Sequence, residues 1–348
     1  MNAPSLMEQE IGEQPSTIAA TIDALLPELA SLRRLVDGCR AVTLYARGSS
    51  DTAAVYGRYL FEIRANVPTS LGAPSVATLY GATPDLRDTL AVIISQSGET
   101  DELIDVARWA HLRGARTIAI TNGANSRLTN AVDLPMVTRA GHERAIPATK
   151  THTAQLAAVA VLGAALVSDS ADLVAGLRAA PFEAQRLLSD SGAATSAAMS
   201  IADAVALVLT GRGYTLSTAL ELALKAQEVC GLAAIGLSGA DLQHGPSALE
   251  RPGVPLVITA PPSGPCLPAL VACARTARSR GTEVYCIGGD VGLQSICDIA
   301  IPGPVLPEAI APVVGIIPGQ VMVEAIARAR GVSPDRPPGL TKVTQTSQ

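Results

Sequence analysis

The chain has 348 residues, 48% hydrophobic and only 16% charged, with a net charge of −5. That charged share is well under the ~25% of an ordinary globular domain, which points to much buried surface, a subunit interface included. An acidic chain with 3% aromatics lacks both the basic footprint and the stacking platforms of a nucleic-acid binder.

Residues 1 to about 15 are polar and read as a loose arm. Apolar residues at Ile18, Ile22, Leu25, Leu26, Leu29 and Leu32 predict a helix over Ser16 to Leu35, with Ser16 as its N-cap. Ala41 to Tyr45 is the first predicted strand, followed by the polar turn Arg47-Gly48-Ser49-Ser50 and a helix through about Ile63. A strand is expected near Ser75 to Leu79. The apolar, β-branched run Thr89 to Ile94 reads as a buried central strand. The helix after it ends at Gly114, and Thr117 to Ile120 is the next strand. Strands alternating with helices imply a parallel α/β sheet. A further helix runs from Ala148 to Val167. The longest apolar run, Leu156 to Val167, is too short to span a bilayer. No basic n-region followed by an apolar h-region opens the chain. The six cysteines (Cys39, Cys230, Cys266, Cys273, Cys286, Cys297) form no C-x-x-C pair, so structural thiols in a reducing compartment are expected. Together these features predict a cytoplasmic protein without a membrane partner.

The pattern then restarts. Ala204 to Thr210 leads into Gly211-Arg212-Gly213 and a helix over Leu216 to Val229, and Pro255 to Thr259 leads into a helix ending near Gly281 and the strand Val284 to Ile287. Arg47-Gly48 recurs as Arg212-Gly213, and Ser95 has Ala260 at the same offset of 165 residues. A domain-sized offset predicts two similar α/β domains. The expected division is an N-terminal arm and helix (1–35), a first domain (36–175), a second (195–332) and a C-terminal tail (333–348).

Ser95-Gln96-Ser97-Gly98-Glu99-Thr100 fills the turn between the central strand and its helix. Such a turn offers free backbone N–H groups at the positive end of a helix dipole, which suits a phosphate. Gly98 lets the backbone approach the anion, and the hydroxyls add donors. The same residues also suit a turn that only caps its helix, and Glu99, Asp101 and Glu102 would repel a phosphate if they pointed inward. The second copy has Ala260-Pro261-Pro262-Ser263-Gly264-Pro265 there, and prolines remove donors. Only the first copy is therefore expected to hold a phosphate.

The second copy offers Glu221, Lys225 and Glu228, which spacings of four and three place on one helical face. That face reads either as a solvated, salt-bridged surface or as a site. Asp241-Leu242-Gln243-His244-Gly245-Pro246 holds one of four histidines, either as a satisfied loop residue or as a proton-transfer group. A phosphate turn, a helical carboxylate and a loop His fit one chemistry. Phosphate anchoring places an opened sugar over a carboxylate that moves a proton between C2 and C1.

In these motifs, with Ala148-Thr149-Lys150-Thr151 and the tail Pro338-Gly339-Leu340-Thr341-Lys342-Val343-Thr344, the chain resembles the SIS (sugar isomerase) phosphosugar family, in particular the isomerase half of glucosamine-6-phosphate synthase and the SIS-type glucosamine-6-phosphate deaminases. The resemblance spans nearly the whole chain and implies an α/β fold of two duplicated, flavodoxin-like domains. It implies that Ser50, Ser95, Gln96, Ser97 and Thr100 hold the sugar phosphate, with Ser49 nearby. Glu228 would shuttle the proton and His244 would open the ring, reaching a neighbouring subunit's site in a homodimer with shared active sites. Glu221 and Lys225 would contact the sugar or orient Glu228, and Lys342 matches the Schiff-base lysine of the synthase. No metal or organic cofactor is required. Ile235 stands where many relatives carry Glu, Gln243 replaces the synthase's lysine, and Ala148 replaces a serine.

Asn2 stands where the synthase's glutaminase nucleophile would be, so no built-in ammonia source is expected. The resemblance therefore implies a hexosamine 6-phosphate deaminase, glucosamine 6-phosphate and water giving fructose 6-phosphate and ammonia. Plain aldose–ketose isomerisation or deglycation of a hexose phosphate adduct uses the same shuttle. A non-catalytic sugar-phosphate sensor is the rival of another class.

Overall fold

The computed structural model describes residues 3–342. Helix α1 (Leu6–Gly12) is capped by Ser5, whose hydroxyl accepts the Glu8 N–H at 2.9 Å, and Met7 and Ile11, four apart, bury one face. The expected loose arm is thus a docked helix. The Ser5 hydroxyl donates to Glu324 at 2.8 Å, and the Asp335 carboxylate accepts the Leu6 and Met7 N–H groups at 3.0 and 2.9 Å. The helix expected from Ser16 begins earlier, as α2 (Gln14–Leu25). Pro27 tightens the chain into a 3₁₀ turn before α3 (Leu29–Val36), so one predicted helix is two.

The first sheet contains β1 (Ala41–Tyr45), β2 (Thr69–Leu71), β3 (Thr89–Ile94), β4 (Arg116–Thr121) and β5 (Leu134–Val137). Its helices are α4 (Ser49–Leu60), α5 (Pro74–Thr78), α6 (Asp101–Leu112) and α7 (Lys150–Leu166). The strand expected near Ser75 to Leu79 is instead helix α5, which Pro74 starts at its first position. Two helices follow, α8 (Ala171–Ser189) and α9 (Gly192–Ile201). The second sheet contains β6 (Ala206–Gly211), β7 (Ala233–Ser238), β8 (Leu256–Ala260), β9 (Val284–Gly288) and β10 (Ile299–Ile301). With it come α10 (Leu216–Cys230), α11 (Gly239–Gln243), α12 (Leu267–Ser279), α13 (Val291–Gln294), α14 (Pro312–Gly315) and α15 (Ile317–Ala329).

The chain divides into two compact units, one built on each sheet. The first-sheet unit comprises Ser16–Glu143, Lys150–Arg178 and residues 341–342. The second-sheet unit comprises residues 3–15, Arg144–Thr149 and Ala179–Leu340. Both sheets are parallel, with orders β2-β1-β3-β4-β5 and β7-β6-β8-β9-β10. Each therefore reverses direction after its second strand position, between β1 and β3 and between β6 and β8. Ligands of open α/β sheets bind at the carboxyl ends of strands flanking such a reversal.

In the first-sheet unit, Ala91, Ile93 and Ala119 pack against Leu103, Ile104, Val106 and Ala107 of α6. Helix α7 is buried from Lys150 to Ala165, polar in its first turns and from Leu156 onward apolar all round as a core helix is. In the second-sheet unit, Val208, Leu256, Ile258 and Val284 pack against Leu270, Cys273 and Ala274 of α12. The stretch Pro312–Ala329 is long and apolar enough to cross a membrane by length and composition, but 78% of it is buried within this unit.

Candidate active site

The turns after β1 and β3 lie at the reversal of the first sheet. Gly98 has φ +68°, and a side chain there would meet Ser126 Oγ at 2.2 Å, so only glycine lets this loop close. Ser95 Oγ accepts the Gly98 N–H at 3.2 Å, and Ser97 Oγ accepts the Glu99 N–H at 3.2 Å. The N–H groups of Gln96, Ser97 and Thr100 donate to no acceptor among the described residues. Thr100 is the N-cap of α6 without spending its side chain on a capping bond. The result is a set of unspent donors at a helix N-terminus, the arrangement that accepts an anion.

The three acidic neighbours are each neutralised. Arg47 makes a two-pronged pair with Glu102, at 3.0 Å through Nε and 2.8 Å through its terminal nitrogen. Arg127 pairs with Asp101 at 2.5 Å, and its backbone N–H donates to Glu99 at 3.1 Å. The repulsion that these carboxylates threaten is therefore compensated locally.

Ser49 and Ser50 open α4 behind Gly48, whose φ is +58°. The Ser50 hydroxyl is 8% exposed and exchanges hydrogen bonds with the Gln155 amide at 3.1 and 2.9 Å. The Ser49 carbonyl is 3.1 Å from His152 Nδ1 on α7. Burial pushes the neighbouring Asp51 carboxyl up, opposed by Arg47. Lys342, at the end of the described chain, donates to Glu143 at 2.8 Å.

The second-sheet unit gathers the other group. Glu221 and Lys225 are 0% and 1% exposed, so the helical face is not a solvated salt-bridged surface. Lys225 lies 3.6 Å from Glu221 and forms a close ion pair with Glu228, whose side chain keeps 24% of its exposure. One buried cation between two carboxylates is a costly arrangement that an apolar core would avoid. It leaves Glu228 as the carboxylate of the row open to solvent. Gly231, with φ +62°, ends α10 immediately after.

His244 closes α11 and is exposed. Ser238 caps that helix by accepting the Asp241 N–H at 3.1 Å, and His244 N–H donates to the Asp241 carbonyl at 3.0 Å. Ile235, on β7, is 43% exposed, an apolar side chain at a position open to solvent. Among the described residues no group of three or more His, Cys, Asp or Glu has the spacing to hold a metal ion.

Residues 37–165 match the family described as the SIS domain. The chain is 34% identical over 339 residues to a glutamine–fructose-6-phosphate aminotransferase (isomerizing) of Methanothermobacter thermautotrophicus, across 97% of this chain. The chain thus carries a SIS domain in residues 37–165 and is homologous to part of that relative. It spans 56% of that relative's length. A solved structure titled the C-terminal domain of glucosamine-fructose-6-phosphate aminotransferase, from Francisella tularensis, aligns with 97% of this SIS-domain chain and 99% of its own. Its TM-score is 0.84 and its identity 26%. A Thermotoga maritima structure titled glucosamine-6-phosphate deaminase shares the fold, with TM-score 0.76 over 98% of this chain and 100% of its own at 22% identity.

Within the SIS domain, three contacts escaped sequence reasoning. Gln155 and His152 are spaced on α7 to meet Ser50 and Ser49, but inside a wholly buried helix their polarity was the only signal. Glu143 carried no motif at all. Val343 and Thr344 of the tail motif lie outside the described residues.

Proposed function

We propose that this chain is an amino-sugar-phosphate deaminase and isomerase, converting glucosamine 6-phosphate and water to fructose 6-phosphate and ammonia. The observation that carries the reading is the row Glu221–Lys225–Glu228, buried at its first two members, an ionic cluster whose cost a folding role alone does not explain. The unspent donors of Gln96, Ser97 and Thr100 support a phosphate anchor, and Ser95 shapes that loop. The two sheets of equal strand order support two copies of one α/β unit.

In this reading the turn after β3 binds the 6-phosphate, with Ser49 and Ser50 alongside. His244 protonates the ring oxygen as the ring opens, and its exposure suits a residue that serves a neighbouring subunit of a homodimer. Glu228 removes the proton at one of C1 and C2 and returns it at the other. Lys225 pairs with Glu228 and lies beside Glu221, so it fixes where the Glu228 carboxylate sits. A positioned carboxylate of this kind contributes about 10²–10⁴-fold. The transfer from C2 to C1 leaves an imine at C2, where Lys342 Nζ displaces ammonia, and water then hydrolyses the lysine imine to fructose 6-phosphate and the free amine. Water exceeds ammonia in the cytoplasm, where we place the protein, and mass action favours release of ammonia.

The test is ammonia release from glucosamine 6-phosphate, with galactosamine 6-phosphate and plain hexose phosphates alongside. Release from a hexosamine phosphate that falls about 100-fold or more in Glu228→Gln supports the reading. Interconversion of aldose and ketose phosphates without ammonia would replace it with plain isomerisation, and saturable binding without turnover would replace it with a sensor.

A further inference from the structure

Glu143 belongs to no motif, yet its side chain is wholly enclosed. Its Oε2 accepts the Lys342 ammonium at 2.8 Å and the Thr151 hydroxyl at 2.6 Å, while Oε1 accepts the Thr151 N–H at 3.2 Å. Thr151 lies in the first turn of α7, so the carboxylate also sits at the positive end of a 17-residue helix. The chain leading to Glu143 is tied down as well. Asn122 donates to the Gly141 carbonyl at 2.7 Å and accepts the Ala140 N–H at 3.0 Å. Asn122 in turn follows β4, whose end packs beside the phosphate turn, the Asn122 N–H reaching the Gln96 carbonyl at 3.0 Å.

We propose that Glu143 is the positioning residue for Lys342. It is a fixed anion, held by Thr151 on a chain tied to Asn122, that draws the one charged side chain of the tail's Gly339-Leu340-Thr341-Lys342 stretch to a single point. The Asn122 link makes that point and the Gln96 turn parts of one hydrogen-bonded frame, so the amine is set at a fixed height relative to the phosphate donors. This rests on the functional reading above, in which Lys342 Nζ and the sugar C2 form a C=N bond, releasing ammonia from the substrate's imine or one water from the ketone of fructose 6-phosphate. Glu143 touches neither the phosphate nor the carbonyl. It acts through the lysine, and its loss is therefore felt in turnover and not in sugar-phosphate affinity.

The experiment compares wild type, Glu143→Gln and Glu143→Asp by steady-state kinetics and by borohydride trapping of fructose 6-phosphate, with the modified peptide read by mass spectrometry. Gln keeps an acceptor for Thr151 and removes the charge. The expected result is a kcat lower by about 10- to 100-fold with KM within about twofold, the scale of a misplaced reacting group. The Lys342 adduct falls in parallel, and Asp restores part of both. Wild-type trapping at Lys342 together with unchanged trapping and kcat in Glu143→Gln would overturn the proposal while leaving the functional reading intact. An equal loss in kcat and in affinity would overturn it as a general structural effect. Turnover in the wild type without any Lys342 adduct would overturn it too, since no lysine chemistry would remain to position. Should Glu143→Gln not fold, acetic anhydride labelling of the wild type decides. Lys342 is expected to acylate at least about fivefold more slowly in the folded than in the unfolded chain, and equal rates would overturn the proposal.

Discussion

The turns after β3 and β8 hold the same place in two sheets of the same strand order, and their chemistry is opposite. After β3, backbone donors of Gln96, Ser97 and Thr100 are unspent and each nearby carboxylate is tied to an arginine or an N–H group. After β8, Pro261, Pro262 and Pro265 have no N–H to offer. Glu308 stands over that turn, within 2.5 Å of where a Gly264 side chain would begin, and burial pushes its carboxyl up. The space at this reversal is closed. Thr215 and Thr259 bond each other's carbonyls at 3.0 and 2.9 Å, and the cavity between them and Pro312 has about 10 Å³. That is the lower limit for a single water. The lesson is that strand order creates a place for a ligand and the turn sequence decides whether it is used. The second sheet spends its reversal on packing, and the residues proposed to carry its chemistry lie on α10 and behind α11 instead.

Glycine substitutions would break this comparison most sharply. Gly98→Ala puts a methyl against Ser126 and Thr121 at a φ of +68°, while Gly264→Ala meets Glu308 at a φ of +121°. Both are expected to cost about 1–3 kcal/mol of stability. Only Gly98→Ala is expected to weaken sugar-phosphate binding, by about 100-fold, as the donors lose their common focus. Calorimetric titration beside a denaturation curve separates the two effects, and equal affinity loss in both variants would erase the distinction.

The serines of the two turns give a smaller contrast. Ser97→Ala removes one hydroxyl donor to a charged ligand, worth about 1.5 kcal/mol or roughly tenfold in Kd. Ser263→Ala, at an exposed position of the proline turn, is expected to change Kd by less than about twofold.

The smallest effect concerns acidity. The Glu308 carboxyl titrates above its usual 4.5 because burial disfavours its charge. A carboxyl raised in the folded state costs stability once pH exceeds its folded value, and the cost vanishes as pH falls toward the unfolded one. Glu308→Gln is therefore expected to raise Tm by about 1 °C at neutral pH. The difference should close near pH 4.5. A gap that widened on acidification would show that Glu308 is instead a stabilising anion.

Much of this was legible before the structure. The runs of β1, β3, β8 and β9 are apolar and β-branched because both sheet faces are covered, and such strands announce themselves. The edge strands β2, β5 and β10 are three or four residues long, too short for a periodic signal. Ser75 to Leu79 misled because Val76 and Thr78 are β-branched, while the start signal, Pro74, stood just before it. Met7 and Ile11, four apart, were the sign that the N-terminus is a helix and not an arm. The row Glu221, Lys225, Glu228 was legible as a face, but spacing could not say that it is buried. Glu143 was illegible, since its role depends on Lys342, about 200 residues further along the chain.

The central claim is that one sugar phosphate binds per chain and that the turn after β3 holds it. Isothermal titration of glucosamine 6-phosphate, with unphosphorylated glucosamine as control, tests it directly in the wild type and in Gly98→Ala and Gly264→Ala. One equivalent per chain, dependent on the phosphate, lost in Gly98→Ala and kept in Gly264→Ala, is the predicted result. Two equivalents per chain, or a site that survives Gly98→Ala and disappears in Gly264→Ala, would contradict it.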